Sequence, residues 1–145
     1  MAAAYATLSD LYALGVPASV ISTVSVPTQQ AKLDAANAKV ESYLNTKFRL
    51  PLGSWGADLR EASAVIAAYE CVVERGFDPE HAGDKVLKDR AEAAIKWLEG
   101  ISNGDIIPVV TEGPPTVSGK SYVRQPVINQ VTGSFTTSRA TGRGW

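Results

Sequence analysis

Between residues 28 and 102, apolar side chains return every three or four positions in three successive runs, and that spacing commits most of the chain to packed α-helices. Leu33, Ala36, Val40, Leu44 and Phe48 mark one face of a helix predicted over 28–48. Leu59, Ala62, Ile66, Tyr69 and Val73 do the same for a helix over 57–75, where Val65 and Val72 widen the apolar face. A face that wide predicts more neighbours than a lone three-helix molecule supplies. Leu87, Ala91, Ala94, Leu98 and Ile101, with Trp97 alongside, mark a third helix.

Punctuation residues divide these runs. Thr7 can cap a short first helix, with Asp10 three residues on in the manner of a capping box. Gly15 is expected to close that helix in a left-handed conformation, and Pro17 to open a brief second turn to about Ser22. Arg49-Leu50-Pro51-Leu52-Gly53 should end the first long helix, because a residue before proline is pushed out of helical geometry. Asp78-Pro79-Glu80 reads as the start of the third long helix, bending near Gly83 and running to about Ser102 before Asn103-Gly104. Residues 106–110 suit a short strand or an extended segment, and Pro108, which cannot donate to a ladder, places it at an edge or at a strand start. The predicted fold class is all-α: a small bundle of three long helices behind a short helical lead. An extended C-terminal tail follows, and Val131-Thr132-Gly133-Ser134 could turn a β-hairpin within it.

Charge draws the domain boundary. Residues 1–112 hold all 15 acids and 10 of the Lys and Arg residues; residues 113–145 hold no acid and four bases. An acidic helical domain over 1–112 is therefore expected to be followed by a basic arm over 113–145, the two meeting different surroundings. No apolar run approaches the roughly 20 residues needed to span a bilayer, and MAAAYATLSDLYALG lacks the basic start of a signal peptide. One cysteine excludes an internal disulfide framework. These features predict synthesis in the cytoplasm without a membrane step.

Constellations that carry chemistry are sparse. The lone histidine, His81, stands near Asp78, Glu80 and Asp84, a donor density that could ligate a cation. The same carboxylates serve equally as caps and as dipole partners of a helix N-terminus. Cys71 falls on an apolar helix face, where a small buried hydrophobe is its usual role. Glycines 53, 56, 100 and 104 lack the strand–loop–helix setting of a phosphate loop. The expectation is a protein without catalysis and without cofactor or metal.

The arm carries the candidate site. Tyr122, Arg124, Phe135, Arg139, Arg143 and Trp145 interleave aromatic rings with bases. Trp, Tyr and Arg anchor protein interfaces more often than other residues, and extended segments can add to a partner's sheet edge. The same residues could neutralise phosphates and stack on bases, which keeps a small nucleic-acid-binding regulator as the alternative function. A solvated terminus is the third reading.

Four segments, in order, carry a resemblance. Tyr5-Ala6-Thr7 followed by Leu8-Ser9-Asp10-Leu11, then AANAKVESYLNTKFRLPL over 35–52, the Leu59–Tyr69 helix, and DRAEAAIKWLEGISNGD over 89–105 resemble small connector proteins encoded among Mu-like phage and prophage head genes. That group is similar to the head–tail connector, or adaptor, proteins of tailed bacteriophages. The resemblance spans about residues 4–107. It implies a structural virion protein of the neck, a helical subunit assembling into a ring of typically twelve copies. Such a ring would sit between the portal and the next neck or tail-completion protein, with genomic DNA passing through its channel unread. An acidic body suits a wall along which DNA slides.

Overall fold

The computed structural model describes residues 3–113 of the chain. A three-residue α1 (Leu8–Asp10) runs into a single π-helical turn (Leu11–Gly15), and a 3₁₀ turn follows at Ala18–Ile21. Then come α2 (Val26–Leu44), β1 (Leu52–Trp55), α3 (Ala57–Arg75), α4 (Ala82–Asn103) and β2 (Val110–Glu112). The architecture is mostly helical with a small two-stranded sheet, rather than all-helical. The turn expected at 131–134 lies outside the described residues.

Local chemistry explains most boundaries. Thr7 and Asp10 form the expected capping box: the Asp10 amide donates to the Thr7 hydroxyl, and the Thr7 amide donates back to the Asp10 carboxylate at 2.9 Å. Ser25 caps α2 and Pro27 occupies its first turn, two residues earlier than the periodicity alone predicts. The helix ends at Leu44, leaving Phe48 outside it but packed against the core. α3 spans the predicted 57–75. Gly104 closes α4 at φ 90°, a left-handed conformation that its missing β-carbon allows.

Two boundary expectations are corrected. Asp78-Pro79-Glu80 does not begin α4: the Asp78 carboxylate accepts from the Glu80 amide at 3.0 Å, and its carbonyl accepts from the His81 amide. Those bonds complete a turn, and His81 becomes the N-cap of α4, its Nδ1 accepting from the Asp84 amide at 3.3 Å. Gly15 ends its helix for a reason other than left-handed geometry. A β-carbon there would meet the Ala68 Cβ at 2.7 Å and the Ala64 carbonyl at 3.0 Å, so glycine is required by contact.

That contact explains α3. Every residue from Ala62 to Ala68 is buried, so the middle of the helix has no solvent face. α2 and α4 cover two sides, while the π turn and the 3₁₀ turn cover another. Alanines 64, 67 and 68 are small enough to let these neighbours approach. The wide apolar face is thus satisfied inside one chain, contrary to the expectation that it calls for further copies. Val73, expected on the stripe, is exposed. Fully buried leucines 11, 33, 44, 59 and 98 anchor the core, each worth roughly 1.5–3 kcal/mol relative to exposure.

Buried polar side chains tie the N-terminal lead to this core. The Asn37 carbonyl oxygen accepts from the Ser63 hydroxyl at 2.6 Å and from the Ala6 amide at 3.2 Å. Gln29 donates to the carbonyls of Ile21 and Val24 and accepts from the Tyr12 hydroxyl. Both residues lie in phase with Leu33, Val40 and Leu44, so a stripe that tolerated polar members would have included them.

Leu52-Gly53-Ser54-Trp55, expected only as the segment after a helix, pairs antiparallel with β2. Trp55 faces Val110, Leu52 faces Glu112, and a register irregularity falls between Leu52 and Ser54. The Leu50–Pro51 peptide ahead of β1 is cis. Arg49 meets Glu112 at 3.4 Å and its backbone amide donates to the same carboxylate, pinning the far end of β2. Of the short strand or extended segment expected at 106–110, only Val110 belongs to β2, and the residues before it lead in.

Candidate docking surface

On the side of the molecule where α3 and α4 pack, each helix turns one stripe towards a shared groove. α3 supplies Asp58, Glu61, Ala62 and Val65; α4 supplies Arg90, Ala93, Ala94 and Trp97. Both sets follow the i, i+3, i+4, i+7 spacing of a single helix face. Alanines at 62, 93 and 94 leave the space between the helices unfilled, giving a groove of about 340 Å³ with a half-buried Trp97 in its wall. That volume is near the low end of ligand pockets, about 300–1,000 Å³.

The charged lining is unevenly committed. Arg90 is turned to backbone, donating to the carbonyls of Leu14 at 2.8 Å and Gly15 at 3.4 Å. Its guanidinium lies 3.6 Å from Glu61, whose side chain remains 59% exposed. Asp58, in the first turn of α3, accepts from the Leu59 amide at 2.8 Å and forms no ion pair among the described residues. The groove therefore joins an apolar, indole-bearing wall to an acidic mouth.

A second exposed apolar feature lies between α4 and β2. Ile106 and Pro108 turn inward, whereas Ile107 and Val109 point out, 85% and 75% exposed. A backbone bond from the Gly56 amide to the Val109 carbonyl, 3.0 Å, fastens this segment beside the start of α3.

The candidate cation ligands have other partners. Asp84 is 2% exposed and accepts from Arg75 and from the Asp78 amide at 3.1 Å, while its own amide donates to His81 Nδ1. Burial acts to raise its pKa, but the Asp78 amide and Arg75 outweigh that and hold the carboxyl below its ordinary range. Asp78 is engaged in its own turn, and Glu80 is exposed. Among the described residues no group of three or more His, Cys, Asp or Glu side chains could hold a metal ion. Cys71 is fully buried, and burial pushes its thiol up to about 11. Among the described residues no helix is long and apolar enough to cross a membrane.

The docking residues expected from sequence, Tyr122, Arg124, Phe135, Arg139, Arg143 and Trp145, all lie outside the described residues. The groove was missed. Asp58, Glu61 and Arg90 read as a solvated helical face, and no residue pattern announces a gap between two helices. The one available signal was the Ala93-Ala94 pair beside Trp97, where small residues flank a large one.

Residues 5–125 match the family model described as Bacteriophage Mu, Gp36. No curated protein matches the sequence. The family match begins at the Tyr5-Ala6-Thr7 opening, contains all four resembling segments from that residue on, and continues past Tyr122 and Arg124. Phe135, Arg139, Arg143 and Trp145 fall beyond it. A match over so much of the chain assigns it: this protein is a phage protein and belongs to the Bacteriophage Mu, Gp36 family.

Proposed function

We propose that this protein is a structural adaptor of the virion neck, a subunit of a ring seated between the portal and the next neck or tail-completion protein. The observation that carries the reading is the family match across residues 5–125, laid over a helical body that ends in an acid-free arm. The ring, typically of twelve copies by resemblance, would extend the DNA channel. The surplus of acids in the body supports passage of DNA without adhesion, because phosphates are repelled by a wall of like sign. Since α3 is already covered within the chain, subunit contacts must come from outer features: the α3–α4 groove, the Ile107–Val109 ridge and the arm. Arm residues Tyr122, Arg124, Phe135, Arg139, Arg143 and Trp145 would anchor docking. Catalysis has no part in this role.

Negative-stain microscopy of the full chain, alone and mixed with the portal protein of the same phage, tests the proposal. Rings, or a collar on the portal, are the expected result. Monomers alone together with an undecorated portal would overturn it.

A further inference from the structure

We infer that the α3–α4 groove is a receptor for the C-terminal arm of a second copy of this chain, with Trp145 inserted against Trp97 and the arm's arginines at Asp58 and Glu61. The inference rests on the neck-adaptor reading and names the partner of the arm within it. Three observations bear on it.

The first is charge. The groove mouth offers Asp58, without an ion pair among the described residues, and Glu61, whose cationic neighbour Arg90 is held by two backbone carbonyls. The arm has no acid in its last 33 residues and places Arg139, Arg143 and Trp145 within its final seven. The second is shape. A groove of about 340 Å³ between helices admits an aromatic side chain on a slender segment, not a folded domain. Ala140, Thr141, Gly142 and Gly144 keep the arm's end slender. The indole wall receives either a ring edge-on or a guanidinium over its face.

The third is length, which lets the arm reach a second copy. β2 enters beside α3, with the Val109 carbonyl on the Gly56 amide. It leaves at the opposite end of β1, where the Gly113 amide donates to the Pro51 carbonyl at 3.2 Å. The 32 residues beyond Gly113 could reach, if extended, roughly 100 Å at about 3.3 Å per residue, far enough to cross to a neighbour.

The test uses the full chain with Trp145 replaced by the photo-crosslinking residue p-benzoylphenylalanine. Isotopically light and heavy copies are mixed before assembly, and crosslinked peptides are mapped by mass spectrometry. Light–heavy hybrids joining position 145 to peptides containing residues 58–65 or 90–97 are expected. A D58K/E61K variant should lower their yield about tenfold, and R139E/R143E in the same chain should restore it. Crosslinks confined to one chain, crosslinks to other surfaces, or none at all would overturn the inference. Microscopy of the same samples separates the two claims. Rings without these hybrids sink the arm contact alone, whereas hybrids without rings or portal collars sink the neck reading.

Discussion

Arg75, the last residue of α3, donates to the buried carboxylate of Asp84 in the first turn of α4. It also reaches the Val20 carbonyl at 3.3 Å. One guanidinium therefore joins two long helices to the N-terminal lead. Asp84 in turn accepts from the Asp78 amide, so the turn between the helices folds around the pair.

The pair predicts an acid-sensitive fold. A carboxyl held below its ordinary pKa contributes stability at pH above its unfolded value, near 3.9, and loses it as pH falls through the native value. Asp84→Asn should cost about 2–3 kcal/mol at pH 7, because the negative charge facing Arg75 is lost and one of the two carboxylate acceptors becomes an NH2 donor. Urea midpoints from pH 7 down to 3 should fall more steeply for the native protein than for the variant. Parallel pH profiles would refute this role.

The close approach at Gly15 predicts intolerance of any side chain. Gly15→Val places branched carbons where the Ala68 Cβ already lies 2.7 Å from an added Cβ. Destabilisation of about 1–3 kcal/mol is expected, with Ala68→Gly in the same chain recovering part of it. Thermal denaturation of the three variants measures the coupling, and simple additivity would contradict it.

Asn37 predicts a local effect that spreads to the N-terminus. Asn37→Ala leaves the Ser63 hydroxyl and the Ala6 amide without their partner, both in the interior. A loss of about 2–3 kcal/mol is expected, together with faster hydrogen exchange at Ala6. Asn37→Asp retains the acceptor and should protect Ala6 better than alanine does. Equal exchange at Ala6 in the two variants would argue against the bond.

Cys71 predicts thiol silence. A fully buried thiol pushed up to about 11 should react with a water-soluble disulfide reagent at pH 8 only when the protein opens. Labelling should rise steeply across the urea transition, following circular dichroism. Rapid labelling of the native protein would show that α3 is less enclosed than its contacts imply.

Much of the fold was legible because the information is local. Apolar residues at helical spacing marked α3 from end to end, Thr7 and Asp10 declared their capping box, and Asn103-Gly104 marked the end of α4. The same reasoning failed where two local signals competed. Asp78-Pro79-Glu80 has every feature of a helix start, yet Asp84 draws the Asp78 amide inward and shifts the cap to His81. The burial of Gln29 and Asn37 was not read, because it depends on carbonyls and hydroxyls brought from other segments.

What the sequence by itself determined is the set of helical stripes, the acidic body and the acid-free arm, since periodicity and charge belong to each segment alone. Tertiary structure decided the rest. Whether the wide face of α3 remained open depended on the π turn folding back over Ala64 and Ala68. Whether Ala62, Ala93 and Ala94 left a groove depended on the two helices lying side by side. Burial and empty space are properties of pairs of surfaces, so they come into being only when distant segments meet.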